Sequence, residues 1–349
     1  MVTIIGGGIA GTVLGGALAR GGVPVTVYER RPRDDMGGAF LFIDERGHRA
    51  LHDLGVDDDA VHEASAPVHS LEYVGSNGRR AAMSRGHRFW LRSSLMRVLN
   101  DFLATSDADL RYERTVTDVT VDDSGRHLIR HDDGSTSPAD DIVIAADGID
   151  SVVRARLEPG RPAVYAGDVV LYGMTTGPVE PDSEPDILHF FAEQDATGAA
   201  ASTFGHIWRP GHPAHWFIRI ARDPLDGPDD LGMRPTGEWA DTVTKATPSI
   251  GDLVGALLAR TDEVHVSNAR NVPLEAAAPP TLPVLLIGDA DHAITPAAGV
   301  GARDALEDAA AVHRALTTGS CPAEAMAQRR TTIVADRRQA VRGRASVSR

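Results

Sequence analysis

The sequence predicts an α/β protein: a nucleotide-binding βαβ unit at its start, a second domain built on an antiparallel β-sheet, and a C-terminal helix. Three observations carry that expectation. A short β-branched run, Val2–Ile5, leads into Gly6-Gly7-Gly8 and then into apolar residues at helical spacing, Ile9, Val13, Ala17 and Leu18. From about Tyr165 to Val266 the texture changes to longer alternating runs joined by Pro/Gly-rich connections. From Ala323 onward the chain reads as an arginine-rich helix.

Each element follows from local chemistry. Gly21-Gly22 ends the first helix, Pro24 cannot continue it, and Val25-Thr26-Val27-Tyr28 forms a second strand. Residues 115–121 and 126–131 flank the turn Asp122-Asp123-Ser124-Gly125, and Asp132-Asp133-Gly134 makes the next turn of a β-meander. Residues 142–146 read as a buried strand ending at Asp147-Gly148. The second domain is expected to place strands at 168–174, 187–192, 201–208 and 215–221. Residues 283–287 return to a short apolar strand before Gly288-Asp289, and a helix begins near Gly301. The expected organisation is therefore a first domain over 1–164, a substrate domain over 165–266, a return segment of the first domain over 267–322, and a terminal helix over 323–349.

A chain of 349 residues suits two domains. Its 42% hydrophobic and 24% charged content is ordinary for a globular protein. A net charge of −14 opposes general nucleic-acid or anionic-membrane binding, since neither surface attracts an acidic protein. Lys245 is the sole lysine, which removes Schiff-base chemistry almost everywhere. Cys321 is the sole cysteine, so no intrachain disulfide and no cysteine-rich metal site is expected, and a reducing cytosol fits. No apolar run has the length of a membrane span, and the N-terminus lacks a signal-peptide pattern. The expected location is cytoplasmic.

Gly6-Gly7-Gly8-Ile9-Ala10-Gly11 satisfies G-x-G-x-x-G between a strand and a helix, the Rossmann-like context. Gly6 permits the tight turn, Gly8 lets the backbone approach a pyrophosphate, and Gly11 lets the helix pack close to the strand. The helix N-terminus then offers free N–H groups to phosphate. Glu29, closing the second strand, suits the hydroxyls of an adenosine ribose. The motif alone leaves NAD and FAD both open.

Two later segments bear on that choice. One runs Asp141-Ile142-Val143-Ile144-Ala145-Ala146-Asp147-Gly148, continuing to Arg154. The other runs Leu286-Ile287-Gly288-Asp289-Ala290-Asp291-His292-Ala293-Ile294-Thr295-Pro296, continuing to Gly301. With the N-terminal glycines, in this order, they resemble the group A FAD-dependent monooxygenases, the aromatic hydroxylases built like p-hydroxybenzoate hydroxylase. The resemblance runs end to end, with the middle sheet matching only by position.

The resemblance implies FAD as cofactor, with Gly6, Gly8, Ile9, Ala10, Gly11, Glu29 and Arg30 around its ADP half and Val116 also in contact with it. It implies that Arg92, opening a helix, contacts the cofactor, and that Asp147 supports FAD and the passing nicotinamide. Gly288 and Asp289 would meet the ribityl chain. Pro296, Gly299, Val300, Gly301 and Ala302 would run beside the isoalloxazine ring. Gly37-Gly38-Ala39-Phe40 would occupy the mobile-flavin loop. The implied reaction uses NAD(P)H and O2 and passes through a flavin C4a-hydroperoxide. It inserts one oxygen atom into an aromatic or polyketide-like small molecule of secondary metabolism, in a monomer or homodimer. A flavin-dependent reductase on the same fold and a non-catalytic flavoprotein are the alternatives.

Physical reasoning supports this assignment independently. A carboxylate after a buried strand is costly unless bonded, and a polyol is a suitable partner for Asp289. A helix starting at Gly301 aims its positive end at whatever precedes it, which suits a reduced flavin. Val300 and Arg303 depart from the Gln and Asn common in the family. Arg303 places a cation in a first helical turn, where it needs an anionic partner: Asp304, the flavin pyrimidine edge or the substrate.

Other constellations carry less. His206, His212 and His215 lack a carboxylate or cysteine at ligand spacing, so no metal is expected. His292 is expected to be structural. The halogenase motif W-x-W-x-I-P is absent, and Lys245 sits apart from any halogenase-like site. Phe40 and Phe42 on the flavin side, with Phe191 and His206 on the sheet, are the expected substrate-lining residues. His189, Phe204 and Trp216 share those strands, and strand alternation lets only about half of such a set face one way. No catalytic acid or base is named.

Overall fold

Val2–Ile5, Val25–Tyr28, Ile142–Ala145 and Val284–Leu286 are short, almost wholly apolar runs, the pattern of parallel strands covered on both faces. They pair in that manner. In the computed structural model, which describes residues 1–33, 38–75, 78–139 and 141–347, they build a five-stranded sheet. Its order is Val284–Leu286, Ile142–Ala145, Val2–Ile5, Val25–Tyr28 and Asp109–Arg111, all parallel. The first helix, Ile9–Arg20, buries Val13, Leu14 and Leu18 in one core with Leu99 and Leu103 of the helix Arg92–Ala104 and Leu306 of the helix Gly301–Thr318. The expected meander forms beside it as Val116–Val121, His127–His131 and Thr136–Pro138.

The chain divides into two units. The first comprises Met1–Ala66, Trp90–Val164 and Asn271–Ala340, and the second includes Pro67–Phe89 and Tyr165–Arg270. Residues 67–89 thus group with the second unit rather than with the first domain expected over 1–164. The cause is a pairing that no local pattern reveals. Ser70–Val74 lies parallel to Ile187–Gln194, in register Ser70 with Ile187, and Arg80–Met83 then folds back on it as a hairpin partner.

The second unit's sheet has eight strands, in the order Asp230–Pro235, Glu263–Asn271, Val164–Pro178, Pro213–Ala221, Ala200–Ile207, Ile187–Gln194, Ser70–Val74 and Arg80–Met83. The central pairings are antiparallel, as expected. One face is covered by the helices Ala240–Lys245 and Gly251–Leu258. Val243, Val254 and Leu257 pack there against Val169, Leu171, Phe204, Trp216 and Ile218.

The terminal helix spans Pro322–Val347, and its buried Met326 belongs to the first unit's core. Cys321 is exposed in the first unit, and Lys245 is exposed in the second, 3.8 Å from Asp241. Among the described residues no helix is long and apolar enough to cross a membrane.

Candidate functional site

The glycine turn shows why each glycine is there. Gly6 has φ +101°, and a Cβ on it would stand 2.3 Å from the Ala146 carbonyl oxygen. A Cβ on Gly11 would stand 1.9 Å from the Gly6 carbonyl oxygen. Gly8 differs: a Cβ there would meet nothing within 4 Å. Gly8 also begins the first helix without any side-chain cap. The first-turn N–H groups of Ile9, Ala10 and Gly11 lack intrahelical acceptors and carry a positive dipole end, which with the clear space at Gly8 makes a ready anion cradle.

Glu29 stands beside that space. Its Oε2 accepts from the Gly7 N–H at 2.6 Å and its Oε1 from the Arg31 N–H at 2.7 Å. Two bonds leave lone pairs for further donors, since a carboxylate has about four acceptor positions. Arg30 is exposed next to it. Val116 is buried in the cluster that holds Tyr28, whose ring lies 5.1 Å from that of His131.

Asp147 follows the strand Ile142–Ala145 and is half-buried. Its Oδ2 is 3.4 Å from the donating Val153 N–H, while its buried Oδ1 has no hydrogen-bond partner among the described residues. Burial pushes its carboxyl up, with the Ser151 hydroxyl and the N–H groups at the start of the next helix opposing the shift. A buried acceptor without a donor is rare and calls for one from outside the chain.

Asp289 is presented by a turn in which Gly288 has φ +59°. Its carboxylate meets solvent on one side, yet protein surrounds it on the others. Burial in that surround pushes its carboxyl up, with the Asp304 charge adding to the shift and the charges of His292, Arg337 and Arg92 opposing it. The water on its open side offsets part of the push. A Cβ on Gly301 would lie 3.8 Å from Asp289 Oδ1, so the carboxylate sits by the start of the helix Gly301–Thr318. Val300 gives that helix no side-chain cap, and Ala302 lies half-buried in its first turn. Pro296–Ala298 forms a single 3-10 turn before it, closed by Gly299 at φ +67°.

Arg92 opens its helix as expected, its N–H donating to the Ala39 carbonyl at 3.0 Å. Gly38, at φ +124°, leaves room for the Arg92 side chain, whose Cδ would be 2.5 Å from a Cβ there. Gly37 lies outside the described residues. Phe40 is buried and Phe42 half-buried on the strand Phe40–Ile43, with rings 5.8 Å apart edge to face.

Three expectations need correction or sharpening. Arg303 takes Asp304, the first of its expected partners, and adds Asp44. It is buried, with Nε and Nη2 donating to Asp304 Oδ1 at 3.1 and 2.7 Å and Nη1 donating to Asp44 Oδ2 at 3.2 Å. Phe191 and His206 fall on the helix-covered face of the second unit's sheet. His206 is fully buried, its ring 6.2 Å from that of Phe204, 5.9 Å from that of Phe191 and 5.1 Å from that of His189, and its Nε2 is 3.0 Å from Ser183 Oγ. Both residues therefore pack the core and leave the other face to their neighbours.

That other face carries an unanticipated row. Tyr172 pairs with Phe217, Phe217 with Gly205, Gly205 with Phe190, and Phe190 with Tyr73. Four half-buried aromatic side chains thus cross the sheet in one line. Phe190 stacks on Tyr73 at 4.4 Å and meets Phe217 edge to face at 5.8 Å. Gly205 makes the spacing possible, because a Cβ there would lie 2.4 Å from the Phe217 ring. The sequence signal was present in the alternation of Phe190 with Phe191, but its phase was not.

Comparison with known proteins agrees with this arrangement. A sequence-family model described as FAD binding domain matches residues 1–343. The chain is 27% identical over 323 residues to 3-amino-4-hydroxybenzoate 2-monooxygenase of Streptomyces cremeus, covering 88% of this chain and 76% of that protein. It is 29% identical over 355 residues to kynurenine 3-monooxygenase of Myxococcus xanthus, covering 91% and 71%. Among solved structures, 2,6-dihydroxypyridine-3-hydroxylase from Arthrobacter nicotinovorans superposes with a TM-score of 0.73 at 23% identity, over 95% of this chain and 87% of that one. Klebsiella pneumoniae HpxO complexed with FAD and uric acid gives 0.71 at 21% identity, over 94% and 83%. The chain belongs to the FAD binding domain family, and its class is that of the flavin-dependent aromatic monooxygenases.

Proposed function

We propose that the protein is a single-component hydroxylase that holds FAD in its first unit, takes electrons from NADH or NADPH, and places one atom of O2 on a planar aromatic or polyketide-like small molecule of secondary metabolism. The observation that carries the cofactor assignment is the uncapped helix start at Gly8, open to a ligand and flanked by the carboxylate of Glu29. The orphaned Asp147 Oδ1 supports it.

In this reading the N–H groups of Ile9, Ala10 and Gly11 bind the pyrophosphate. Glu29 takes the ribose hydroxyls, with Arg30 and Val116 bordering the adenosine. Asp147 Oδ1 accepts from the cofactor, and Asp289 accepts from the ribityl hydroxyls. Arg92 offers its charge to the same group. The segment Pro296, Gly299, Val300, Gly301 and Ala302 delivers an uncapped helix N-terminus, which favours negative charge developing on a reduced ring. When bound, FAD supplies the redox and oxygen chemistry, while the protein binds, orients and excludes water. The row Tyr73, Phe190, Phe217 and Tyr172 offers flat apolar faces to a ring substrate. Within the first unit, Phe40 and Phe42 keep their proposed role as lining residues on the flavin side.

Purified protein is expected to be yellow, to oxidise NAD(P)H faster with its substrate present, and to return a product carrying one labelled oxygen from labelled O2. A colourless protein that takes up no FAD on reconstitution overturns the cofactor assignment. NAD(P)H oxidation that never places labelled oxygen in a product points instead to a reductase.

A further inference from the structure

The turn that presents Asp289 is held almost entirely from outside. Ala290 carbonyl oxygen accepts from Arg154 Nη1 at 2.8 Å, and the Asp291 carbonyl accepts from Arg161 Nη1. The Asp291 carboxylate accepts from Arg161 Nη2 at 3.0 Å and from Arg330 Nε and Nη2 at 2.8 and 2.6 Å. His292 carbonyl oxygen accepts from Arg337 Nη2 at 2.6 Å. Asp308 Oδ2 binds the Gly288 N–H at 2.9 Å and His292 Nε2 at 2.6 Å, and Asp308 Oδ1 accepts from Arg329 Nε at 3.0 Å. Asp291, His292, Asp308, Arg154 and Arg161 are all buried. Arg329, Arg330 and Arg337 all come from the terminal helix.

A helical piece of four residues, Asp289–His292, has no stability of its own. Its carbonyl groups, normally left without partners at a helix end, are satisfied here by guanidinium groups. Asp289 is the side chain of this piece that meets solvent, while its three neighbours are buried. The direction in which Asp289 points is therefore set by Asp308 beneath Gly288 and by the arginines of the terminal helix.

We infer that Asp308 and Arg330 are positioning residues for Asp289, and that docking of the terminal helix sets how tightly the first unit holds FAD. The inference rests on the proposal that Asp289 meets the cofactor. The terminal helix is then an internal latch on the cofactor turn, since Arg329, Arg330 and Arg337 are spent on carboxylates and carbonyl groups around it.

The test titrates FAD into apoprotein of the wild type, Asp308→Asn, Arg330→Gln and Arg330→Lys, following flavin fluorescence, with thermal unfolding recorded with and without FAD. The expected result is a Kd for FAD at least tenfold higher in Asp308→Asn and Arg330→Gln, a smaller rise in Arg330→Lys, and a reduced FAD-induced rise in Tm in each. In an Asp289→Ala background the same substitutions should add little to the loss of affinity, because they act through that side chain. Arg219→Gln, which breaks a 2.6 Å contact to Asp168 in the second unit, should lower Tm without changing the FAD Kd. Lower Tm in Asp308→Asn and Arg330→Gln with an unchanged Kd assigns these residues to stability alone and overturns the inference. If Arg330→Gln does not fold, the Arg330→Lys titration decides in the same way. A wild type that binds no FAD overturns the cofactor assignment and this inference together, whereas tight wild-type binding unaffected by the variants overturns the inference only.

Discussion

The Gly7 N–H donates to Glu29 Oε2 at 2.6 Å, tying the end of the second strand to the turn that follows the first. The carboxylate that meets a ribose in the proposed function thus also fixes the loop that would cradle the phosphates. Glu29→Ala should remove both contributions. The expected outcome is FAD binding weakened by roughly tenfold to a hundredfold, since charged hydrogen bonds contribute about 1.5–3 kcal/mol each. Equilibrium titration of apoprotein checks it, and an unchanged Kd would place the ribose elsewhere.

Gly8 and Gly11 should respond oppositely to the same methyl group. Gly11→Ala drives a Cβ into the Gly6 carbonyl oxygen and should destabilise the apoprotein by about 1–3 kcal/mol or more. Gly8→Ala meets no protein atom and has an ordinary φ of −78°, so the apoprotein Tm should hold. The methyl would instead occupy space assigned to the pyrophosphate, so FAD affinity should fall. Paired melting curves and titrations distinguish the two.

Asp289, the ribityl partner in the proposed function, should trade apo stability for binding. Burial raises its folded-state pKa, so the ionised form costs stability that appears as pH rises above the unfolded carboxyl range and is absent below it. Asp289→Asn should therefore leave apoprotein Tm equal or slightly higher at pH 7, with no difference near pH 3, while FAD affinity drops. A lower Tm at pH 7 would mean that the carboxylate supports the apo fold.

His206 tests the corrected sheet phase. Burial, and secondarily His189, lower its pKa to about 3, so the folded state resists its protonation. Stability should be full above the unfolded value near 6.5 and should fall as pH drops, by about 2 kcal/mol between pH 8 and pH 5. His206→Leu should flatten that acid loss while leaving the KM for the aromatic substrate unchanged. A KM raised severalfold with normal FAD binding would return His206 to the substrate surface.

What was legible in the sequence follows from the range of the forces involved. The strand, glycines and helix of residues 2–20 are a local pattern, and the structure reproduces them residue for residue. Asp147 and Asp289 stood out in the sequence through the segments that resemble the group A monooxygenases, and Asp289 also as a carboxylate after a buried strand. The phase of Phe190 and Phe191 was not available, because either face satisfies alternation until the later helices at 240–258 cover one of them. The strands at 70–83 escaped notice because their partner, Ile187–Gln194, is remote in the chain. Arg303 and the arginines of the terminal helix gave a weaker but usable signal. Asp304 and Asp308 stand four apart on one buried helical face, and like charges so placed require cations from elsewhere.

The scarcity of lysine and cysteine has a practical consequence. Cys321 accepts one thiol-directed dye on the first unit, and Lys245 accepts one amine-directed dye on the second. An α-amino group can be blocked first near neutral pH because α-amino groups deprotonate well below lysine. The wild-type sequence thus accepts a donor–acceptor pair with one fluorophore per unit.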